Sequence, residues 1–90
     1  MPDLLHEYWE NDDCGEFGRV GEHNDQLRST ITPNARRVFS LRASSWHQAM
    51  RLYNERLGYG EYRTEGLPDI FYTDEDGVEQ TAYLLVREVN

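Results

Sequence analysis

The ninety-residue chain contains no lysine: all nine of its basic residues are arginine, set against seventeen aspartates and glutamates for a net charge of −8. A GC-rich genome or a halophilic host explains such a bias, since both cations serve a solvated surface. The functional alternative is that arginine's planar fork is kept for bidentate carboxylate pairing within the fold or with a partner. Cysteine is nearly absent too. A lone Cys14 excludes an intrachain disulfide framework and agrees with a reducing compartment. No run approaches the roughly 20 apolar residues of a membrane span. The start, MPDLLHEYWENDD, lacks the basic and apolar stretches of a secretory signal. These absences predict a cytoplasmic protein.

Spacings that carry chemistry are also missing. TDEDG resembles the middle of an EF-hand loop, but with Gly77 as its glycine the first and last ligand positions fall on Tyr72 and Tyr83. Cys14, His6, His23 and His47 show no C-x-x-C or H-x-x-x-H pairing for zinc. Cys14 lies in NDDCGE, where neighbouring carboxylates deplete the thiolate. Ser44, Ser45 and His47 are close in sequence, but Ser45 serves as a helix cap and His47 falls on the helix's outer side, so no triad is supported. Gly58-Tyr59-Gly60 stands at a helix end, whereas a phosphate cradle sits at a helix start. No motif singles out a carboxylate pair for acid and base work. The expectation is a non-enzyme with no metal and no cofactor.

What is present specifies a fold. Ninety residues make one small domain, residues 1–90, which buries roughly 60–65% of the surface its unfolded chain exposes. Eleven aromatics supply enough core for the chain to fold. Ser45 and Gln48 form an S-x-x-Q cap, Gly58 offers a left-handed stop, and Trp46, Met50, Tyr53 and Leu57 make one apolar stripe, predicting an amphipathic helix over about 46–57. RVFSLRA alternates, with Phe39, Leu41 and Ala43 on one face, and reads as a strand feeding that helix. LRSTIT alternates as well, with TPNAR as a reversal, and EFGRV before it is a further candidate strand. DIFYT and EQTAYLLVREV bracket Asp76-Gly77, a tight-turn signal, and predict a hairpin whose last strand is central. At the N-terminus Leu4, Leu5, Tyr8 and Trp9 fit a short helical face, while HEYWE alternates as a strand pairing across NDDCG; the strand is favoured. The fold class expected is α+β, an antiparallel sheet of four to six strands with one amphipathic helix packed across it.

Charge is laid out in blocks. Residues 1–30 carry net −6, residues 31–60 net +4, and residues 61–90 net −6. Two acidic clusters stand out, Glu10, Asp12, Asp13 and Glu16, and Asp74, Glu75, Asp76 and Glu79, each read as a turn between strands. Acidic turns are ordinary solvated tips. They can also imitate the spaced negative charge of a nucleic-acid backbone and occupy a basic groove on another protein. Direct nucleic-acid binding is disfavoured by the net charge, with Arg36, Arg37 and Arg42 the one local basic patch. The irregular connection YGEYRTEGLPD places Tyr59 and Tyr62 either as interface anchors or as local packing under the loop.

In size, charge and lack of a catalytic motif the whole chain resembles the small acidic anti-defence proteins of phages and mobile elements, the anti-CRISPR and anti-restriction inhibitors. The resemblance transfers no residue role, because those proteins share no sequence pattern. It implies stoichiometric inhibition of a nucleic-acid-handling complex, a CRISPR effector or restriction complex, in the host-cell cytoplasm. Carboxylates then stand in for phosphates, and Tyr59 and Tyr62 anchor the contact. The basic middle third departs from the most uniformly acidic mimics. The alternative is a housekeeping interaction module or immunity-type partner that uses an exposed sheet face or the Tyr59–Arg63 loop.

Overall fold

The computed structural model describes residues 2–88. The N-terminal alternation resolves as a strand: Leu4–Glu10 forms β1 and Gly15–Arg19 forms β2, joined by the tip Asn11–Cys14. Asn11 makes that tip close. Its Oδ1 accepts from the amides of Asp13 and Cys14 (2.9 and 2.8 Å), and its own amide donates to Cys14 O. Glu22–Ile31 follows as α1, then Arg36–Ala43 as β3, Trp46–Leu57 as α2 and Asp74–Val86 as α3. The sheet is antiparallel in the order β2-β1-β3, so the N-terminal strand is central.

Opposed residues fix the two faces. Leu4, His6 and Tyr8 of β1 share one with Phe17 of β2 and Phe39, Leu41 and Ala43 of β3. Helix α2 covers this face, bringing Tyr53 to 4.4 Å from the Phe17 ring and 5.5 Å from the Tyr8 ring, with Trp46 over His6. The other face carries Leu5, Glu7 and Trp9. Helix α3 is tied to it through Gln80, which is buried: its amide donates to the carbonyls of Leu5 (3.0 Å) and Val20 (2.9 Å) and accepts from Leu5 N (2.8 Å). That side chain supplies one more rung where β2 has ended.

Helix α2 begins and ends as its sequence predicts. Ser45 is the N-cap, accepting from Gln48 N, and Gly58 takes φ 73°, ψ 25°. One detail differs: the Gln48 side chain accepts from Ser44 N (2.7 Å) and Ser44 Oγ rather than from the cap residue itself.

Three expectations are corrected. LRSTIT is not a strand but the end of α1, in which no residue is buried; Leu27 and Ile31 satisfy helical i,i+4 spacing as well as alternation, and exposure of both removes the pattern's meaning. The Asp76-Gly77 hairpin and the strand EQTAYLLVREV are replaced by α3. Thr73 accepts from Asp76 N while Asp76 accepts from Thr73 N, a reciprocal capping box that starts a helix where the dipeptide suggested a turn. Before it, DIFYT contributes only an isolated bridge, Phe71 to Ser45. Among the described residues the sheet therefore has three strands rather than four to six, and it is accompanied by three helices rather than one.

Gly15 supports the core from the hairpin. A Cβ there would lie 2.9 Å from the Tyr8 ring carbons, and that ring is held by Phe39 and Tyr53. Gly15→Ala is expected to cost about 1–3 kcal/mol by overpacking, read as a lower urea midpoint with an unchanged m-value.

Candidate functional site

The sequence singled out ten residues for partner binding, and the structure divides them. The tip Asn11–Cys14 lies where β1 ends. The first turn of α3 lies where β1 begins: a Cβ on Gly77 would meet Pro2 at 3.1 Å, and Asp76 lies 3.8 Å from Arg19, the last residue of β2. The seven residues of β1 separate the two ends by roughly 20 Å. Tyr59 belongs to the hairpin end, edge-on to Tyr53 at 6.1 Å and 66% exposed. Tyr62 does not join it: the loop turns back along α2 and sets Tyr62, half-buried, edge-on to His47 at 5.8 Å.

The hairpin end is mixed in charge. Arg36 stands opposite Glu10 and Arg37 opposite Trp9 on the neighbouring strand, and Asn11 donates to Asn34 at 3.1 Å. Glu10 accepts from Tyr8 Oη at 3.1 Å, and Glu16 accepts from Thr32 Oγ1 at 2.6 Å. Burial first, and then the Glu10 carboxylate, push the Tyr8 phenol up to about 12. Only Asp12 and Asp13 of this cluster are exposed and outside the side-chain bonding formed among the described residues.

The α3 end is more uniformly acidic. Asp74, Glu75 and Glu79 are exposed, and Asp76 is committed to the cap, whose hydrogen bonds hold its carboxyl below the usual carboxylate range. The helix makes these positions rigid. Acids in a first turn are favoured by the helix dipole, which is a local reason for their presence beyond any partner.

The most highly organised charge in the molecule lies elsewhere, and the sequence reading missed it. Glu7, at 3% exposure, accepts from Arg87 Nη2 (2.6 Å) and Nη1 (3.0 Å), from Trp9 Nε1 (2.9 Å) and from Arg37 Nη1 (3.1 Å). Arg87 turns its other edge to Asp25, donating from Nε (2.7 Å) and Nη2 (3.0 Å). Asp25 also accepts from Arg28 Nη1 (2.9 Å) and from Tyr83 Oη, and the Arg28 guanidinium lies 3.7 Å over the Trp9 ring. Burial alone would raise both carboxyls; the hydrogen bonds from Arg87 and its companions outweigh it and lower them. Every oxygen of the two carboxylates is occupied, so the network joins β1, α1 and the residue after α3 and leaves no lone pair for a substrate. The cavity beside it, lined by Glu7, Trp9, Glu16 and Arg28, holds about 90 Å³, far below the roughly 300 Å³ of a ligand pocket.

A second buried polar pair underlies α2. His6, with no exposure, donates from Nδ1 to Leu4 O (2.9 Å), which leaves Nε2 to accept from Tyr72 Oη (2.7 Å). Burial lowers its pKa to about 4. His47, expected on the solvated side of α2, is buried at 8% exposure because the loop covers it: its amide donates to Asp69 Oδ1 at 2.9 Å, and Trp46 N donates to Ile70 O. The α2 N-terminus is thereby fully capped.

Among the described residues no cluster of three or more His, Cys, Asp or Glu has metal-binding geometry, and no helix is long and apolar enough to cross a membrane. Neither Glu7, Asp25 and Arg87 nor His6 and Tyr72 are marked by sequence spacing; the single visible signal is an acid flanked by aromatics in HEYWE. No family model matches the chain, and no curated protein or solved structure gives a significant match.

Proposed function

We propose that the protein is a non-enzymatic inhibitor that binds a nucleic-acid-handling complex, an anti-CRISPR-like activity, with carboxylates at the start of α3 competing for a basic nucleic-acid-binding surface. The observation that carries this reading is the segregation of charge. Four of the nine arginines, Arg19, Arg28, Arg37 and Arg87, form ion pairs with Asp76, Asp25 and Glu7, while Asp12, Asp13, Asp74, Glu75 and Glu79 are exposed and enter no ion pair among the described residues. Paired cations are satisfied internally; unpaired acids remain free to meet a partner. Glu75 and Glu79 stand one helical turn apart on a fixed scaffold, about 6 Å between Cβ atoms.

The test separates the two acidic ends. A pull-down from nuclease-treated host lysate supplies the partner, and association is then followed at low and high salt. Reversal at Asp74, Glu75 and Glu79 to lysine is expected to slow association by roughly tenfold or more and to flatten its salt dependence. Reversal at Asp12 and Asp13 should do less, since Arg36, opposite Glu10, already makes that end mixed in charge. Asp76 is left intact because its loss breaks the α3 cap. Association indifferent to salt and to both reversals would sink charge mimicry.

One observation favours an interaction module instead. The connection from α2 to α3 exposes Tyr59 (66%), Leu67 (66%), Ile70 (63%) and Phe71 (53%). That reading expects salt-insensitive binding lost in Tyr59→Ala or Phe71→Ser, with Tyr62→Ala acting mainly through the His47 contact.

A further inference from the structure

Strand β3 is an edge, and the hydrogen-bond parity of the sheet leaves part of its backbone facing outward. Leu5 turns its N–H and C=O toward β2, where Val20 N donates to Leu5 O at 2.9 Å and Gln80 completes the pair. By alternation Leu4, His6 and Tyr8 face β3, and their opposed residues Ala43, Leu41 and Phe39 face back. Ser40 and Arg42 therefore direct their backbone groups away from the sheet, and these have no hydrogen-bond partner among the described residues. Just beyond, the same edge is in use: Tyr72 N donates to Ser44 O at 3.1 Å and Trp46 N to Ile70 O at 3.0 Å. The chain itself thus lays an antiparallel segment on this edge, and the start of α3 at Asp74 carries it away before Arg42 is reached.

We propose that the outer edge of β3, from Val38 to Arg42, binds an extended acidic segment of another protein as a fourth strand. Backbone pairing supplies the attachment and alternate side chains the selectivity. RRVFSLRA carries Arg36, Arg37 and Arg42 and no acid, and all three arginines are exposed. Arg37, which keeps its bond to Glu7, and Arg42 share the face that bears Glu7 and Trp9, so the added strand's residues on that face are carboxylates, and those between them, on the face of Phe39 and Leu41, are apolar. Asp74 lines the same groove as Arg42, but Arg42 enters no ion pair among the described residues and remains open to a partner's carboxylate. A second copy is the wrong occupant: edge-to-edge pairing would align six arginines across two edge strands that carry no acid of their own, with only Arg37 of each ion-paired among the described residues. The net charge of −8 opposes approach from a distance, but the guanidinium contacts lie within one Debye length, about 8 Å at physiological salt.

The probe is a fluorescein-labelled peptide Val-Glu-Val-Glu-Val-Glu-Val, compared by anisotropy with its counterpart carrying lysine in place of glutamate. The acidic peptide is expected to bind at least tenfold more tightly, with the Ser40 and Arg42 amides shifting and exchanging more slowly in NMR spectra. Arg42→Glu, at an exposed position, should weaken it at least tenfold, and Ser40→Pro should remove it by deleting an outward donor without touching the β1 ladder. No binding of the acidic peptide, equal binding of both peptides, or shifts confined to α3 or the β1–β2 tip overturns the proposal. So does slow exchange of Ser40 and Arg42 in the free protein with concentration-dependent dimerisation, the mark of a second copy.

Discussion

Arg87→Ala is expected to lower the unfolding free energy by about 3–5 kcal/mol, the cost of leaving buried charges without their partner. For a domain of this size that is a large share of the total, and the variant should unfold at or near physiological temperature. The reason lies in what remains. Glu7 is 3% exposed and would keep only Trp9 and Arg37 as donors; Asp25 would keep Arg28 and Tyr83. Arg87→Lys should recover only part of the loss, because one ammonium cannot span two carboxylates that the guanidinium grips with two adjacent edges sharing Nη2. The pH dependence distinguishes this cause from lost packing. With Arg87 present the two carboxyls sit below their ordinary values, so their contribution is complete above the unfolded carboxylate range and is lost as pH falls from there through the lower folded values. Without Arg87, burial dominates and favours the protonated acids, so the gap between variant and wild type should narrow toward pH 4 in urea titrations. A gap that stays constant with pH would assign the effect to packing.

This network marks the limit of what the sequence discloses. The cap Ser45, the stop Gly58 and the stripe Trp46-Met50-Tyr53-Leu57 are local signals that agree with one another, and α2 follows them to the residue. The strand RVFSLRA is equally legible because Phe39 and Ala43 bury one side of it, whereas HEYWE, buried on both faces, and EFGRV, whose β2 residues include none that is buried, show only through alternation and the NDDCG turn between them. Helix α3 defeats the same logic. Its one buried residue is polar Gln80, while Val78, Leu85 and Val86 are exposed at 69%, 83% and 74%, so the apolar pattern points the wrong way and Leu84–Val86 reads as strand. The capping box that Thr73 and Asp76 form in the structure outweighs the turn tendency of Asp-Gly. Helix α1 has no fully buried residue, and the side chains it turns inward, Asp25 and Arg28, are charged, so apolar periodicity carries no information there. The candidate acids were visible as clusters, but their distribution over opposite ends of β1 and the commitment of Asp76 and Glu16 to local bonds are tertiary facts. Glu7, Asp25 and Arg87 come from separate parts of the chain, and only the fold makes them one unit.

The absence of lysine acquires a physical reading from the same residues. Arg87 bonds two carboxylates at once, Arg28 lies flat on Trp9 while bonding Asp25, and Arg56 lies 4.6 Å over Phe39. Planar stacking and forked bonding are properties lysine does not share. Four of the nine arginines enter carboxylate pairs within the described residues, so part of the compositional bias is structural.

His6→Gln is expected to remove most of the pH dependence of stability between pH 6.5 and about 4. In the folded protein His6 titrates at about 4, whereas the unfolded chain takes up that proton at 6.5. Between those values the unfolded state binds more protons, so stability rises with pH; the contribution is complete above 6.5 and lost as pH falls to 4. The shift corresponds to about 3 kcal/mol over the window at 1.36 kcal/mol per pH unit. Glutamine can donate to Leu4 O and accept from Tyr72 Oη, so the variant keeps the buried pair while shedding the ionisation. It should be less stable than wild type at neutral pH by the lost ring stacking on Phe17, yet nearly level from pH 6.5 down to the carboxylate range, where Glu7 and Asp25 take over. Urea midpoints across that range, with the His6 ring titrated by NMR, make the comparison. A slope unchanged by His6→Gln would move the proton uptake to another group, and a His6 ring titrating near 6.5 in the folded protein would mean that the Tyr72 bond opens to water.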